Sequence, residues 1–339
     1  MKAVRLSTPG GPEALELVDL PSPAPLPGQV RVQAQAIGVG RPDVMIRTGR
    51  YKWMPPLPAV IGNEMCGVVA ALGAGVDPAW LARPVLVSAR ELDTRGGCYA
   101  QEMVVPADAL IALPEGIDPA QAVALPNYQL AWGLLHDATR GKLPGSVYLN
   151  GAAGGVGSAL IELCGLLGIE VIAGAGSADK RRFALELGAR AAVDTSGATD
   201  SETPPEALVQ AVLDASEGRG VDLVLDHLCG PHVATHLRML APFGLLVSYN
   251  ALAGMPKADV FAALRTQAAL AIGIVTYNMH AYDGQRAARR ALLEQPIEWL
   301  AAGRLQPRIF RHMPLTKARE AHELLDARAV LGKLVLDPA

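Results

Sequence analysis

The chain lacks any close cysteine pair. Its 339 residues include only four cysteines, Cys66, Cys98, Cys164 and Cys229, with no C-x-x-C among them. That spacing argues against a disulfide framework and against a cysteine zinc lobe. Charge is sparse too: charged residues make up 19 %, the formal net charge is −3, and no basic run is longer than Lys180-Arg181-Arg182. Such a surface does not steer toward nucleic acid. Long hydrophobic runs are missing, since the apolar stretch at 268–275 is far too short to span a membrane. The opening Met1-Lys2-Ala3-Val4-Arg5-Leu6 reads as a short strand, too short and too polar for a signal peptide. The expectation is a cytoplasmic protein with neither a nucleic-acid nor a membrane partner.

What is present points to a compact globular chain. Hydrophobic residues reach 50 %, and 35 glycines and 26 prolines mark many turns. The length allows two domains with cores of their own. Up to about Leu113 the pattern is short strands broken by Gly and Pro, at 30–34, 67–72, 84–87 and 101–105. From about Asp118 the rhythm changes, with helices expected at 119–125 and 130–138. Strands are then expected at 147–150, 170–173, 191–193, 222–226, 245–249 and 270–275. Helices at 158–167, 179–187, 205–216 and 231–240 alternate with them, and 195–205 reads as a mobile loop. Repeated βα units of this kind imply a doubly wound parallel sheet, so the fold class is α/β. Two amphipathic helices, at 286–302 and 316–327, and a strand at 332–336 form a tail that should return to the first domain.

One segment carries the chemistry. V-Y-L-N-G-A-A-G-G-V-G over 147–157 runs from an apolar strand through a glycine turn straight into an apolar helix. Gly151 permits the sharp turn, and Ala152, Ala153 and Gly154 let a ligand approach the backbone. Gly155 and Val156 complete the loop, and Gly157 lets the following helix pack against the strand. The helix N-terminus then offers unpaired N–H groups and a positive dipole end to a diphosphate. No Lys-Ser or Lys-Thr follows the last glycine, which excludes a Walker loop. The end of the next strand selects between the two nicotinamide dinucleotides: a carboxylate there holds a ribose 2′-hydroxyl, whereas small and basic residues admit a 2′-phosphate. Here the turn is G-A-G-S-A with no acid, Ser177 can donate a hydrogen bond, and Lys180 or Arg181 can supply positive charge. That pattern favours NADPH.

Several separate motifs then share one likeness. They are Met1-Lys2-Ala3-Val4 with Gly10-Gly11-Pro12-Glu13, Gly38-Val39 with Asp43, Thr48-Gly49-Arg50-Tyr51, and Gly62-Asn63-Glu64-Met65-Cys66-Gly67-Val68-Val69. Gly96-Gly97-Cys98-Tyr99-Ala100, the glycine loop, Val221 to Asp226 and the terminal Gly332-Lys333-Leu334-Val335-Leu336 complete the set. Together they resemble the medium-chain dehydrogenase/reductase superfamily over nearly the whole chain, most closely its zinc-independent quinone oxidoreductase branch. The resemblance implies a GroES-like β-rich catalytic domain from 1–117 and 279–339, a Rossmann NADP(H)-binding domain from 118–278, and a homodimer joined near 270–275. Zinc-dependent relatives carry Cys and His where Gly40 and Asn63 stand, so the resemblance implies a reductase without catalytic zinc.

By the same resemblance, hydride passes from NADPH to a quinone or an α,β-unsaturated carbonyl acceptor, and Tyr51 stands where enoyl-thioester reductases place a tyrosine acid. His227, Leu228, Asn250 and Leu252 are implied along the nicotinamide-ribose side of the cofactor, and Arg328 and Lys333 toward its phosphate end. Gly40 replaces the branch's usual Asn, and Leu130-Ala131-Trp132 its usual Thr-Ala-Tyr, so Arg41, Tyr128 and Trp132 are candidates to shape the acceptor site. Two other functions stay open at this level: an enoyl-thioester reductase, and a crystallin-like NADPH-binding protein with little turnover.

Overall fold

The structure is a computed structural model that describes residues 1–196 and 206–338. The expected loop at 195–205 lies almost wholly outside the described residues. The strands in chain order are β1 (Lys2–Leu6), β2 (Leu15–Asp19), β3 (Gln29–Val39), β4 (Ala59–Val60), β5 (Glu64–Leu72), β6 (Pro84–Ser88), β7 (Glu102–Pro106) and β8 (Ile111–Ala112). They continue as β9 (Ser146–Asn150), β10 (Glu170–Ala175), β11 (Ala191–Asp194), β12 (Val221–Asp226), β13 (Leu240–Ser248), β14 (Gly273–Thr276), β15 (Ile309–Pro314) and β16 (Lys333–Asp337). The α-helices are α1 (Arg41–Arg47), α2 (Pro119–Ala122), α3 (Leu125–His136), α4 (Gly155–Leu167), α5 (Ala178–Glu186), α6 (Glu206–Ala215), α7 (Val233–His236), α8 (Val260–Thr266), α9 (Arg286–Ala301) and α10 (Ala318–Asp326). The chain forms two compact units, Met1–Pro126 with Leu293–Ala339, and Asn127–Leu292. The unit boundaries therefore fall inside α3 and α9.

The first unit is β-rich. Its main sheet runs β15-β16-β3-β5-β6-β8, with β7 also paired to β3, and a smaller sheet runs β2-β1-β4. β3 alternates as a half-buried strand should: Val30, Val32 and Ala34 point inward while Arg31 and Gln33 point away. The tail does return to this unit. β16 lies between β15 and β3, pairing Leu334 with Val39 and Leu336 with Ile37. That central position explains why Leu334, Val335 and Leu336 are fully buried.

The second unit is one six-stranded parallel sheet in the order β11-β10-β9-β12-β13-β14. Strands covered on both faces read as unbroken apolar runs, and Val147, Tyr148 and Leu149 of β9 are all fully buried. The sheet is wound outward in both directions from β9 and β12. Ligands of open α/β sheets bind at such a switch point, beyond the carboxyl ends of the strands. The helix expected at 119–125 is the four-residue α2, and the one expected at 130–138 begins five residues earlier, at Leu125. Two further elements differ. The helix at 231–240 is only the four residues of α7 between 3-10 turns, because Cys229 and Gly230 adopt positive φ and Leu240 already belongs to β13. The strand at 270–275 begins only at Gly273, since Ala271 is left-handed after a 3-10 turn.

Candidate functional site

β9 and β12 are the neighbouring strands at the switch point, and each ends in a polar side chain, Asn150 and Asp226. After Asn150 the chain turns at Gly151, which has φ of +66°, and Gly154 N–H donates to Gly151 O at 3.1 Å to close the turn. Ala152 and Ala153 tuck inward while Gly151 and Gly154 stay exposed. α4 begins at Gly155 behind an N-cap, Gly154, that makes no side-chain cap hydrogen bond. Its first-turn N–H groups are thus left for an anion rather than for a capping oxygen. A Cβ on Gly157 would sit 2.5 Å from Gly151 O and 2.6 Å from Ala152 O, so only glycine lets the helix and the loop lie this close. The loop is a cradle of backbone that fits a dinucleotide's diphosphate.

The turn after β10 supplies the next contact. Ser177 is the N-cap of α5, its hydroxyl accepting from Lys180 N–H at 3.4 Å, so both residues stand just beyond the carboxyl end of β10. Arg181 is placed differently. Its guanidinium donates to Ala175 O at 3.2 Å and pairs with Asp194 at the end of β11 at 3.0 Å. Arg182 pairs with Asp179 on the exposed helix face. Of the three consecutive cations, Arg181 and Arg182 are therefore committed to carboxylates.

Beyond β12 and β13 the remaining expected cofactor residues line up at the same sheet end. His227 and Leu228 are half-buried, and Asn250 and Leu252 are exposed. Three hydrogen bonds lace these loops, Leu252 N–H to His227 O, Ala253 N–H to Leu228 O and Gly230 N–H to Gly254 O. Asp226 anchors the arrangement. It is fully buried, and its Oδ1 accepts from Asn150 Nδ2 at 2.7 Å and from Leu228 N–H at 2.9 Å. Burial alone would raise its carboxyl, but the hydrogen bond and charge of His236, with the Asn150 and Leu228 donors, outweigh burial and hold it at about 2. Neither Asn150 nor Asp226 was singled out in the sequence. Their signal was position, the last residue of each apolar strand flanking the switch point.

The remaining expected residues divide between the units. In the second unit, Tyr128 is buried and its hydroxyl donates to Glu162 of α4. Trp132 stacks on His136, with ring centroids 5.2 Å apart. In the first unit, Arg41 is exposed at the start of α1, and Tyr51 is half-buried with its ring 5.7 Å from Trp53. Arg328 is exposed in a positive-φ turn after α10. Lys333 is buried and its ammonium donates to Glu64, so its charge is matched inside the first unit rather than presented on its surface.

The positions that hold zinc ligands in zinc-dependent relatives have other partners. Gly40 has no side chain, and its N–H donates to Asp43 Oδ2 at 2.8 Å; Asn63 Nδ2 donates to Asp43 Oδ1 at 2.7 Å. Burial and the neighbouring Glu64 charge push the Asp43 carboxyl up to about 6, against the pull of those two donors. All four cysteines are buried, and burial pushes the Cys66 and Cys98 thiols well above their ordinary range.

Comparison with known proteins agrees with this architecture. Residues 26–115 match the family model of the alcohol dehydrogenase GroES-like domain, and residues 187–336 match that of the zinc-binding dehydrogenases. A quinone oxidoreductase of Pseudomonas aeruginosa is 30 % identical over 338 residues, covering 99 % of each chain. The synaptic vesicle membrane protein VAT-1 homolog of Mus musculus is 30 % identical over 97 % of this chain and 82 % of its own. Among solved structures, Escherichia coli quinone oxidoreductase complexed with NADPH aligns over the whole of both chains with a TM-score of 0.85 at 26 % identity. With its GroES-like β domain, its doubly wound sheet and its glycine loop at the switch point, the chain belongs to the medium-chain dehydrogenase/reductase superfamily, in the quinone oxidoreductase branch.

Proposed function

We propose that the protein is an NADPH-dependent reductase that acts on quinones or α,β-unsaturated carbonyl compounds without a catalytic metal. The observation that carries this reading is the switch-point crevice, whose turn after β10 carries no acid. An uncapped α4 N-terminus and a glycine cradle stand beside a turn bearing Ser177 and Lys180. The cradle takes the diphosphate, and Ser177 and Lys180 supply a hydroxyl and a cation for the 2′-phosphate. Arg181 supports the turn through Asp194 and the Ala175 carbonyl. When bound, NADPH supplies the hydride that an electron-poor acceptor needs.

The metal-free part of the reading rests on the donor set. Catalytic zinc takes three protein ligands; Gly40 offers none, and Asn63 is hydrogen-bonded to Asp43. An acceptor then needs positioning and a proton source rather than a Lewis acid. Tyr51 is the residue assigned to proton delivery in reductions that generate an enolate. Tyr51→Phe should lower the rate on an enone or enoyl thioester by about 100-fold. It should leave a quinone, whose reduced form takes its protons from water, within about 3-fold. Equal losses on both acceptors would remove the acid role.

The assembly proposed is a homodimer through β14, the edge strand of the parallel sheet. The experiment that tests the main reading is steady-state oxidation of NADPH and NADH against quinones, enals and enoyl-CoA esters, with enzyme treated with a chelator. Turnover that survives chelation and favours NADPH supports it. Turnover lost with the metal, or equal use of NADH, counts against it.

A further inference from the structure

The turn after β10 has no acid of its own, but the neighbouring strand brings one to it. β11 runs parallel to β10 in a register that sets Asp194 beside Ala175, the last residue of β10. Arg181 stands four residues after Ser177, and its guanidinium folds back to that point. Its Nη1 lies 3.0 Å from Asp194 Oδ1 and donates to Ala175 O at 3.2 Å. Thr195 N–H donates to the same carbonyl at 3.3 Å. The residues just after β11 close against the turn, since a Cβ on Gly176 would meet Ser196 Cα at 3.8 Å. The guanidinium therefore sits at the carboxyl ends of both strands, beside the turn.

Asp194 is itself anchored. Its Oδ1 accepts from Ser196 N–H at 2.8 Å. That bond, the Ser196 hydroxyl and the Arg181 charge hold its carboxyl below the usual carboxylate range. It is thus charged at neutral pH, and it cancels one cation at the place where the NADPH reading puts the 2′-phosphate. The pair is open to solvent, with side-chain exposures of 26 % for Arg181 and 53 % for Asp194. An ion pair this exposed is weak, so Arg181 stays in place only while the carboxylate holds it.

We infer that Asp194 is a specificity-determining residue that withholds Arg181 from the 2′-phosphate and so limits the preference for NADPH over NADH. With the carboxylate in place, the phosphate is met by Ser177 and Lys180. Without it, the Arg181 fork is released beside the same turn, where it can take two phosphate oxygens. NADH lacks that phosphate and is indifferent to the exchange. This inference rests on the NADPH reading and adds the residue that sets the size of the preference.

The test is the dissociation constants of NADPH and NADH, followed by nucleotide fluorescence at one pH. The proteins are the wild type, Asp194→Asn, Arg181→Ala and the double variant. Asn keeps an oxygen for the Ser196 N–H while removing the charge; Asp194→Ala repeats the charge loss without that oxygen, and thermal melting checks that each variant folds. Asp194→Asn is expected to tighten NADPH by about fivefold, to leave NADH within about twofold, and to steepen the loss of NADPH affinity with salt. The double variant should bind NADPH as Arg181→Ala does. Tightening that persists in the double variant belongs to relief of carboxylate repulsion and overturns the role of Arg181. No tightening, or equal tightening of both nucleotides, overturns the inference while leaving NADPH binding intact. A wild type that binds NADPH no better than NADH overturns the NADPH reading itself.

Discussion

Ser177, Lys180 and Arg181 lie within five residues of one another, yet the structure gives them different work. Ser177 caps α5 just beyond β10 and Lys180 stands in its first turn, whereas Arg181 is held by Asp194 and Ala175 O. Lys180→Ala should therefore weaken NADPH by about tenfold, the effect of one charge-assisted phosphate contact, and leave NADH unchanged. Arg181→Ala should leave the NADPH-to-NADH ratio within about twofold and lower the melting temperature slightly, because it breaks a half-exposed ion pair. Fluorescence titration with both nucleotides separates the two variants. Much of this site could be read in the sequence. The glycines and the missing acid in the turn are local features, and the spacing from strand to turn to helix is fixed by geometry. The assignment of charge among three consecutive cations was not legible, because Asp194 reaches Arg181 only when β11 lies beside β10. The partners of Lys333 were hidden for the same reason, since Glu64 is 269 positions away in the chain.

Helix α4 and the loop before it depend on one close backbone approach. A methyl group at Gly157 would sit 2.5 Å from Gly151 O, and no side chain is there to move aside. Gly157→Ala should cost about 1–3 kcal/mol by forcing the loop and helix apart. The melting temperature of the unit should fall by about 2–4 °C per kcal/mol, and NADPH affinity should fall with it, since the first-turn N–H groups are displaced. An Ala variant that melts and binds like the wild type would show that the contact is not tight. The central strands β9, β10 and β12 were legible because both faces are buried and each reads as an apolar run. α1, α8 and β15 were not. α1 and α8 are seven-residue helices, and β15 is short and half-polar, so none shows a long period. α7 was overdrawn for the opposite reason. Residues 231–240 have a helical apolar pattern, but Asp226 Oδ1 ties the N–H groups of Leu228 and Cys229 into a turn, and the strand starts early at Leu240.

At the scale of the molecule, two buried carboxyl groups answer acid in opposite ways. Asp43 in the first unit titrates at about 6 when folded, above the ordinary 3.8, so the folded state holds its proton more tightly. Its contribution, ~3 kcal/mol, is complete below about pH 4 and is lost as the pH rises through 6. Asp226 in the second unit is held at about 2, below 3.8, so it stabilises above about pH 4. That contribution, ~2 kcal/mol, is lost as the pH falls through 2. His322 in the first unit opposes Asp43, because burial holds its imidazole at about 3, below the ordinary 6.5, so the folded state loses stability as the pH falls below 6.5. Calorimetric unfolding at pH 7 and 5 should therefore show Asp43→Asn losing more stability over that fall than the wild type. An equal change in variant and wild type would remove Asp43 from this balance. The central claim is that the switch-point crevice loads NADPH for metal-free reduction of an electron-poor acceptor. Its most direct test is the ratio of kcat/KM for NADPH to that for NADH, with a para-quinone acceptor and chelator-treated enzyme. The account predicts sustained turnover with a clear preference for NADPH, reduced toward parity in Lys180→Ala. Parity in the wild type, or tight NADPH binding with no oxidation by any acceptor, would contradict it.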